Sequence, residues 1–308
     1  NIPYQRYCRQ LGLVPESVAT WREVPAVPTD VFKASLPICT FPPDQAECVF
    51  HTSGTTREIR GTHHLRDRSL YEASIRGTWA AAGLPDCSRA WFLAPPPSST
   101  PHSSLGCMFE TLSPDRNPDR WLIDLDGAFR LEAMAGACSC TGPIVLFSTA
   151  LSLLRLIDSH PHPCPLPAGS HVFQTGGYKG LHREVATAEL YERIESFFKV
   201  PTGRIINEYG MTELCSQAYA TSIGTPHHLP PWMRVRAIDP HTGEELPPNT
   251  PGYLVFHDLA NLHSVSAIRT QDFGRVIDDG AFFLDGRDPG ALPRGCSRGS
   301  DALANHQP

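Results

Sequence analysis

Three short segments of the chain combine residue types that can bind a nucleotide. The first, residues 51–56, follows the apolar run 48–50 and reads His-Thr-Ser-Gly-Thr-Thr. Its small residues let the backbone wrap around a phosphate group, whose oxygens accept hydrogen bonds from hydroxyl and N–H groups. By itself this pattern is weak, because clusters of Ser, Thr and Gly are also common in ordinary loops.

The second segment, residues 206–213, places several useful side chains after the end of a predicted strand. Tyr209 can stack on a base, and the Thr212 hydroxyl, which follows the turn at Gly210, can contact phosphate. The Glu213 carboxylate can hold Mg²⁺. The alternative interpretation is a strand followed by an N-capped helix.

The third segment pairs an acidic and a basic side chain that are separated by one hairpin. Asp272 follows Thr270 and Gln271, and Arg287 follows Gly286. A carboxylate can accept hydrogen bonds from both ribose hydroxyls, and an arginine can reach the same sugar or a phosphate. The alternative interpretation is two hairpin turns with a surface ion pair.

The elements that must position these segments follow two patterns. From residue 48, short apolar runs alternate with helical patterns, which is typical of a parallel α/β sheet with crossover helices. Strands are predicted at 90–94, 144–147, 171–174 and 204–207, and helices at 149–159 and around 190–198. After Pro231 the pattern predicts β-hairpins. The chain is therefore divided into an arm with short helices (1–47), an α/β body (48–228), a β-rich subdomain (229–288) and a tail (289–308).

Composition excludes several classes of protein. The 308 residues include 41% hydrophobic and 19% charged residues, and the net charge is −6, without the basic stripe of a nucleic-acid-binding protein. The longest apolar run, 143–154, is too short to span a bilayer. The ten cysteines form no C-x-x-C motif and indicate reduced thiols in the cytoplasm. The pairs His63-His64 and His227-His228 are interpreted as loop or surface residues.

Together, in this order and spacing, the three segments resemble the adenylate-forming superfamily of acyl-CoA synthetases, adenylation domains and luciferases. Within this superfamily the sequence is most similar to the LuxE family of acyl-protein synthetases. The similar runs are 173–180, 207–217, 258–261 and 294–297. The resemblance implies an α/β fold, namely the large N-terminal portion of the adenylate-forming fold with a small β-rich subdomain.

The resemblance also implies a reaction. A carboxylate attacks the α-phosphate of ATP to give an acyl-adenylate and pyrophosphate, and a nucleophile then takes the acyl group. Residues that match the family motifs receive roles. The residues implied for phosphate binding are Thr52, Ser53, Thr55 and Thr56. The residues implied for the adenine or acyl pocket and the ribose are Gly176, Gly177, Tyr209, Asp272 and Arg287. The residues implied for catalysis are Thr212, Glu213 (also the Mg²⁺ ligand), His102 beside the substrate carboxylate and Cys296 as acyl acceptor.

Two departures from the family pattern bear on this reaction. Relatives have Gly after the Thr-Thr of the phosphate loop, whereas here Arg57 follows Thr56. No lysine follows Lys199, so the mobile C-terminal domain that supplies a lysine in most of the superfamily is expected to be absent. These departures favour a second hypothesis, an acid-binding protein that presents its carboxylate to another enzyme without turning over ATP.

The substrate and partner come only from the family resemblance. Long-chain fatty acids are the family default, and an aromatic acid such as a phenazine carboxylate is the competing prediction. Trp79, Trp91 and Phe147 are candidates to stack on a flat ring. A reductase that releases an aldehyde is the implied partner, and an acyl carrier whose essential group is Cys296 is a third hypothesis.

Overall fold

The computed structural model describes residues 1–52, 60–113, 115, 117–176 and 185–287. They form two compact units. The first contains Asn1–Ser74, Met211–Ser216 and the described residues from His228 onward, and the second contains Ile75–Gly210 and Gln217–His227.

The regular elements of the described chain are mostly short. The helices are α1 (Ile2–Gln10), α2 (Ser69–Ala81), α3 (Ser104–Leu112), α4 (Leu131–Cys138), α5 (Ala150–Ser159) and α6 (Thr187–Phe198). None of these described helices is long and apolar enough to cross a bilayer. Single 3₁₀ turns occupy much of the N-terminal arm, at Pro15–Ser17, Trp21–Glu23, Thr29–Lys33 and Pro43–Gln45.

The strands are short in the first part of the chain, and most of those near its end are longer. Those of the first part of the chain are β1 (Val27–Pro28), β2 (Cys48–His51), β3 (Thr62–Leu65), β4 (Ala90–Leu93), β5 (Val145–Thr149), β6 (His171–Thr175), β7 (Ile205–Tyr209) and β8 (Ala218–Ala220). Those that follow are β9 (His227–His228), β10 (Met233–Ile238), β11 (Pro251–Asp258), β12 (Ala267–Asp278) and β13 (Ala281–Arg287).

Parallel strands organise the second unit. Strands β4, β5, β6 and β7 pair in parallel in that order, and β8 pairs antiparallel with β7. The register places Phe147 beside both Phe92 and Phe173, and all three rings are fully buried. The predicted parallel α/β arrangement is therefore confirmed.

Helices α5 and α6 pack their apolar faces on the core of this unit. The predicted spacing of α6 is confirmed, since Leu190, Ile194, Phe197 and Phe198 are all buried. The helix ends at Lys199, whose φ of 56° places it in the left-handed region that often terminates helices.

The first unit is built mainly from antiparallel strands. Strands β10, β11, β12 and β13 form successive antiparallel pairs, as the hairpin pattern predicts. Strand β1 pairs in parallel with β12, and β2 pairs antiparallel with β3. The α/β fold class with an added β-rich part is confirmed.

Replacement of Ile194 by Ala tests the packing of α6. Ile194 is fully buried, and truncating such a side chain removes apolar burial and leaves a cavity. We expect the free energy of unfolding in urea to fall by about 2–5 kcal/mol. The exposed Glu192 on the same helix is the control, and Glu192→Ala should change this free energy by less than about 0.5 kcal/mol. Equal effects of the two substitutions would contradict this packing.

Candidate functional site

The loop that carries Thr212 and Glu213 belongs to the first unit, within Met211–Ser216. Both residues are half-buried. The Thr212 hydroxyl donates to the backbone oxygen of His51 at 3.5 Å, so it lies beside the end of β2. The predicted alternative, an N-capped helix after the strand, is wrong, because residues 210–217 contain no helix.

A buried histidine fixes the backbone at Thr212. His63 Nδ1 lies 2.7 Å from the Thr212 carbonyl oxygen, and its Nε2 lies 3.0 Å from the Ser264 hydroxyl. Burial lowers the pKa of His63 to about 4, so its ring is neutral at pH 7. Since a carbonyl only accepts, Nδ1 carries the proton and Nε2 accepts from Ser264. The interpretation of His63 as a loop or surface residue is wrong, because its ring packs on Phe32 in the interior.

A buried carboxylate holds the other end of the loop. Asp258 is fully buried and accepts hydrogen bonds from the backbone N–H groups of Cys215 (3.0 Å), Ser216 (2.8 Å) and Ala260 (2.9 Å). The Ser216 hydroxyl donates to it as well, at 2.7 Å. Burial raises the pKa of Asp258, and the four donors act in the opposite direction.

Asn261 completes the support of the loop. Its Nδ2 donates to the Glu213 carbonyl oxygen at 2.8 Å and to the Val265 carbonyl oxygen at 3.1 Å. Asp258 and Asn261 both lie in the run 258–261 that carries part of the family resemblance. Sequence reasoning gave neither of them a role, although that run was the signal that pointed to them.

Thr52 lies near the start of the candidate phosphate loop, residues 51–56. Its backbone N–H donates to the Gly61 carbonyl oxygen at 2.9 Å, and the Gly61 N–H donates to its hydroxyl oxygen at 2.8 Å. A Cβ at Gly61 would lie 3.1 Å from the Phe32 carbonyl oxygen, which is tighter than ordinary contact. The other predicted phosphate-loop residues, Ser53, Thr55 and Thr56, lie outside the described residues together with Arg57, Gly177 and Cys296.

The third predicted segment is brought together by strand pairing. Asp272 on β12 and Arg287 on β13 are register partners, and Gly286 adopts a φ of 131° beside them. Arg287 Nη2 donates to Gln271 Oε1 at 3.2 Å. Asp272, Gln271 and Arg287 therefore form one polar group on this hairpin in the first unit.

The second unit carries a different group of candidate residues, at the carboxyl ends of β6 and β7. The Thr175 hydroxyl donates to Glu208 Oε2. Burial raises the pKa of Glu208 to about 7, and the hydrogen bond from Thr175 partly opposes this effect. Gly176 follows with a φ of 73°, in the left-handed region that favours glycine. Gly210 lies against this group as well, because a Cβ there would meet the Glu208 carboxylate and require that side chain to shift.

Tyr209 and His102 also belong to the second unit. Tyr209 is 7% exposed and meets His227 edge to face, with ring centroids 6.2 Å apart. His227 is buried, which makes the surface interpretation of this histidine wrong as well. His102 lies in an exposed turn just before α3, whose N-terminus is capped by the Ser103 hydroxyl.

The aromatic residues proposed to stack on a substrate ring pack mainly on one another. Trp79 lies 5.5 Å from both Phe147 and Tyr219, measured between ring centroids. Trp91 is half-buried and has the Arg120 guanidinium 5.7 Å above its ring. Trp79 and Phe147 are therefore part of a buried aromatic cluster in the second unit.

A Mg²⁺ ion would depend on few protein ligands. Among the described residues, no group of three or more His, Cys, Asp or Glu side chains could hold a metal. Mg²⁺ bound to a nucleotide usually takes one or two carboxylates and completes its shell with phosphate oxygens and water. One carboxylate, that of Glu213, fits this mode of binding.

Comparison with known proteins gives a consistent fold. No family model and no curated protein sequence matches the chain, but many solved structures do. ATP-bound MatB from Rhodopseudomonas palustris aligns with a TM-score of 0.56 and 15% identity, over 80% of this chain and 49% of MatB. McyG A-PCP complexed with phenylalanyl-adenylate aligns with a TM-score of 0.56 and 16% identity, over 87% of this chain and 44% of its own.

A third similar structure is O-succinylbenzoate CoA synthetase (MenE) from Bacillus subtilis in complex with AMP. Its TM-score is 0.52 and its identity 16%, over 80% of this chain and 50% of MenE. The fold is therefore that of the N-terminal portion of adenylate-forming enzymes, as the sequence predicts. The chain spans about half the length of these structures.

Replacement of Glu208 by Gln tests its buried, protonatable carboxyl group. The folded-state pKa of about 7 lies above the usual 4.5, so the folded protein binds this proton more tightly than the unfolded chain. Its stabilising effect is complete below about pH 4.5 and is lost as the pH rises through 7. Relative to Glu208→Gln, we expect the unfolding free energy of the unmodified protein to fall by about 3 kcal/mol between pH 4 and pH 8.

Urea unfolding at a series of pH values measures this difference. Glu195→Gln, at an exposed position on α6, is the control and should follow the pH profile of the unmodified protein. If Glu208→Gln also follows that profile, Glu208 does not titrate in the way its burial predicts.

Proposed function

We propose that this protein activates a carboxylic acid with ATP, forming an acyl-adenylate and pyrophosphate. The observation that carries the proposal is the loop at Thr212 and Glu213, whose carbonyl oxygens are fixed by His63 and Asn261. Such a preorganised hydroxyl and carboxylate suit a reaction in which the protein mainly positions phosphate groups and neutralises charge. The shared fold, with solved structures bound to ATP, AMP or an acyl-adenylate, supports the same proposal.

In this proposal the loop acts on the phosphates. The Thr212 hydroxyl donates to a phosphate oxygen, and the Glu213 carboxylate holds Mg²⁺, which when bound neutralises charge at phosphorus. The hydroxyl of Thr52, and those of Ser53, Thr55 and Thr56, would bind further phosphate oxygens. His63 keeps the Thr212 carbonyl in place and does not exchange protons near pH 7, because it is already neutral there.

The remaining predicted residues would bind the other parts of the reactants. Asp272 accepts the ribose hydroxyls, with Arg287 beside it in register. Gly176, Gly177 and Tyr209 would line the adenine or acyl pocket, and His102 would lie near the substrate carboxylate. We also propose that the acyl group passes to a thiol or to a partner reductase that makes an aldehyde, and that the reaction takes place in the cytoplasm.

Acid-dependent exchange of pyrophosphate into ATP tests adenylation directly. The assay uses a panel of fatty and aromatic carboxylic acids, with Mg²⁺ present and with Mg²⁺ removed by EDTA. We expect exchange with one class of acid and a loss of at least about 100-fold in Glu213→Ala, the scale seen when one preorganised stabilising group is removed. Glu244→Ala, at an exposed position of the same unit, should retain full exchange.

The same experiment distinguishes acid activation from the main alternative, acid binding without turnover of ATP. If calorimetry detects acid binding but no acid supports exchange, the protein is an acid-binding relative that presents its carboxylate to another enzyme. Undiminished exchange in Glu213→Ala would contradict the role of this carboxylate while leaving adenylation in place.

Replacement of Cys296 by Ser tests whether this thiol accepts the acyl group. The thiolate is the nucleophile in such a transfer, and Ser cannot form the thioester. We expect Cys296→Ser to abolish covalent labelling by radioactive acid and ATP while pyrophosphate exchange continues. Labelling that persists in Cys296→Ser would contradict the role of this thiol. If labelling also persists in every other single Cys→Ser variant, no single cysteine is the acceptor.

A further inference from the structure

Three buried polar side chains of the second unit meet below an exposed glycine. Glu208, Gln217 and Tyr219 are 6%, 4% and 1% exposed. Tyr219 is the direct register partner of Glu208 across the β7–β8 pair. A Cβ at Gly210 would touch the Glu208 carboxylate and would lie 3.7 Å from Gln217 Cγ. Gly210 is itself exposed and has no side chain, so only its backbone lies beside the Glu208 carboxyl group on this side.

Two atoms of this group have unmet hydrogen-bonding capacity. In the part of the chain that the structure describes, the Tyr219 hydroxyl and Gln217 Oε1 are buried without any hydrogen-bond partner. A buried polar group left unpaired is destabilising, and native proteins rarely retain one without a reason. Two such groups beside a third polar side chain indicate a place where a ligand supplies the missing partners.

The three groups offer a defined set of donors and acceptors. Burial, together with the neighbouring Glu208, raises the pKa of Tyr219, so its hydroxyl stays protonated and can donate. Gln217 Oε1 can only accept. Thr175 donates to Glu208 Oε2, and the other carboxyl oxygen, Oε1, is the atom that a Cβ at Gly210 would meet first.

Buried aromatic rings adjoin these polar groups. Trp79 meets the Tyr219 ring edge to face at 5.5 Å, and Phe173 does so at 6.4 Å. Glu208 lies at the carboxyl end of a parallel strand, the edge at which α/β sheets bind ligands. It also precedes Thr212 by only four residues. The surroundings therefore combine buried aromatic rings with a hydrogen-bond donor and an acceptor.

We infer that Glu208, Gln217 and Tyr219 select an aromatic acid with hydrogen-bonding atoms in or on its ring, in preference to a long-chain fatty acid. The inference rests on the proposed acid activation. A methylene chain would leave the Tyr219 hydroxyl and Gln217 Oε1 buried and unpaired, and sites built to hydrogen-bond a substrate strongly reject analogues that lack the partner. A ring nitrogen accepts from Tyr219, and a ring amino or hydroxyl group donates to Gln217.

Matched acids test this inference in the exchange assay. Quinoline carboxylates and naphthalene-1-carboxylate have nearly the same shape and differ by one ring nitrogen, and dodecanoate represents the fatty acids. With the full chain, we expect at least one quinoline carboxylate to exceed naphthalene-1-carboxylate in kcat/KM by about tenfold or more, and dodecanoate by a larger factor.

Tyr219→Phe removes only the hydroxyl and should bring the ratio of quinoline to naphthalene close to one. Tyr191→Phe, which removes the hydroxyl of another buried tyrosine in the same unit, should keep the ratio. Gln217→Met, of similar size, should lower the preference for amino- or hydroxy-substituted aromatic acids over their unsubstituted parents. Thermal unfolding of each variant establishes that it is folded.

The outcomes separate the inference from the proposed function. Exchange with dodecanoate as the best acid, or a ratio that Tyr219→Phe leaves unchanged, would overturn the inference while acid activation stands. In that case the three groups bind only water. Absence of both exchange and acid binding with every acid would overturn the proposed function and the inference with it.

Discussion

The arrangement of the loop that carries Thr212 and Glu213 depends on the carboxylate of Asp258. This group is buried without a cationic partner among its described contacts, so its desolvation must be offset by hydrogen bonds alone. Three backbone N–H groups and the Ser216 hydroxyl provide them. Two of these N–H groups belong to residues 215 and 216, so the hydrogen bonds to Asp258 restrain the path of the backbone just after Glu213.

Buried polar groups support the loop in the first unit, and a separate set lies beside Glu208 in the second unit. In the first unit, His63, Ser264, Asn261 and Asp258 bond with one another or with the loop backbone, which makes the loop rigid. In the second unit, the carboxyl group of Glu208 accepts one hydrogen bond in the described part of the chain, and its neighbours Gln217 and Tyr219 keep unpaired atoms. Hydrogen-bonded groups hold the loop in place, whereas unpaired atoms can bind a ligand. Among the described residues the first unit also has such an atom, Asn261 Oδ1.

Local patterns in the sequence predicted the strands, the hairpins and α6, because side-chain periodicity reports directly on which face of an element is buried. The support of the loop could not be predicted in this way. His63 is separated from Thr212 by 149 residues and from Ser264 by 201, and no local pattern reveals such distant partners. The burial of His63 was missed for the same reason, since a His-His pair resembles a surface turn until its contacts are known.

The contact between Gly210 and Glu208 also constrains how this protein can change over time. A side chain at position 210 requires the buried Glu208 side chain to shift or to be replaced by a shorter one, so the effect of a substitution at one position depends on the residue at the other. The two positions are therefore coupled. Shortening the side chain at 208 first makes room for a Cβ at 210, so this order of substitution avoids a step in which the buried carboxylate must move.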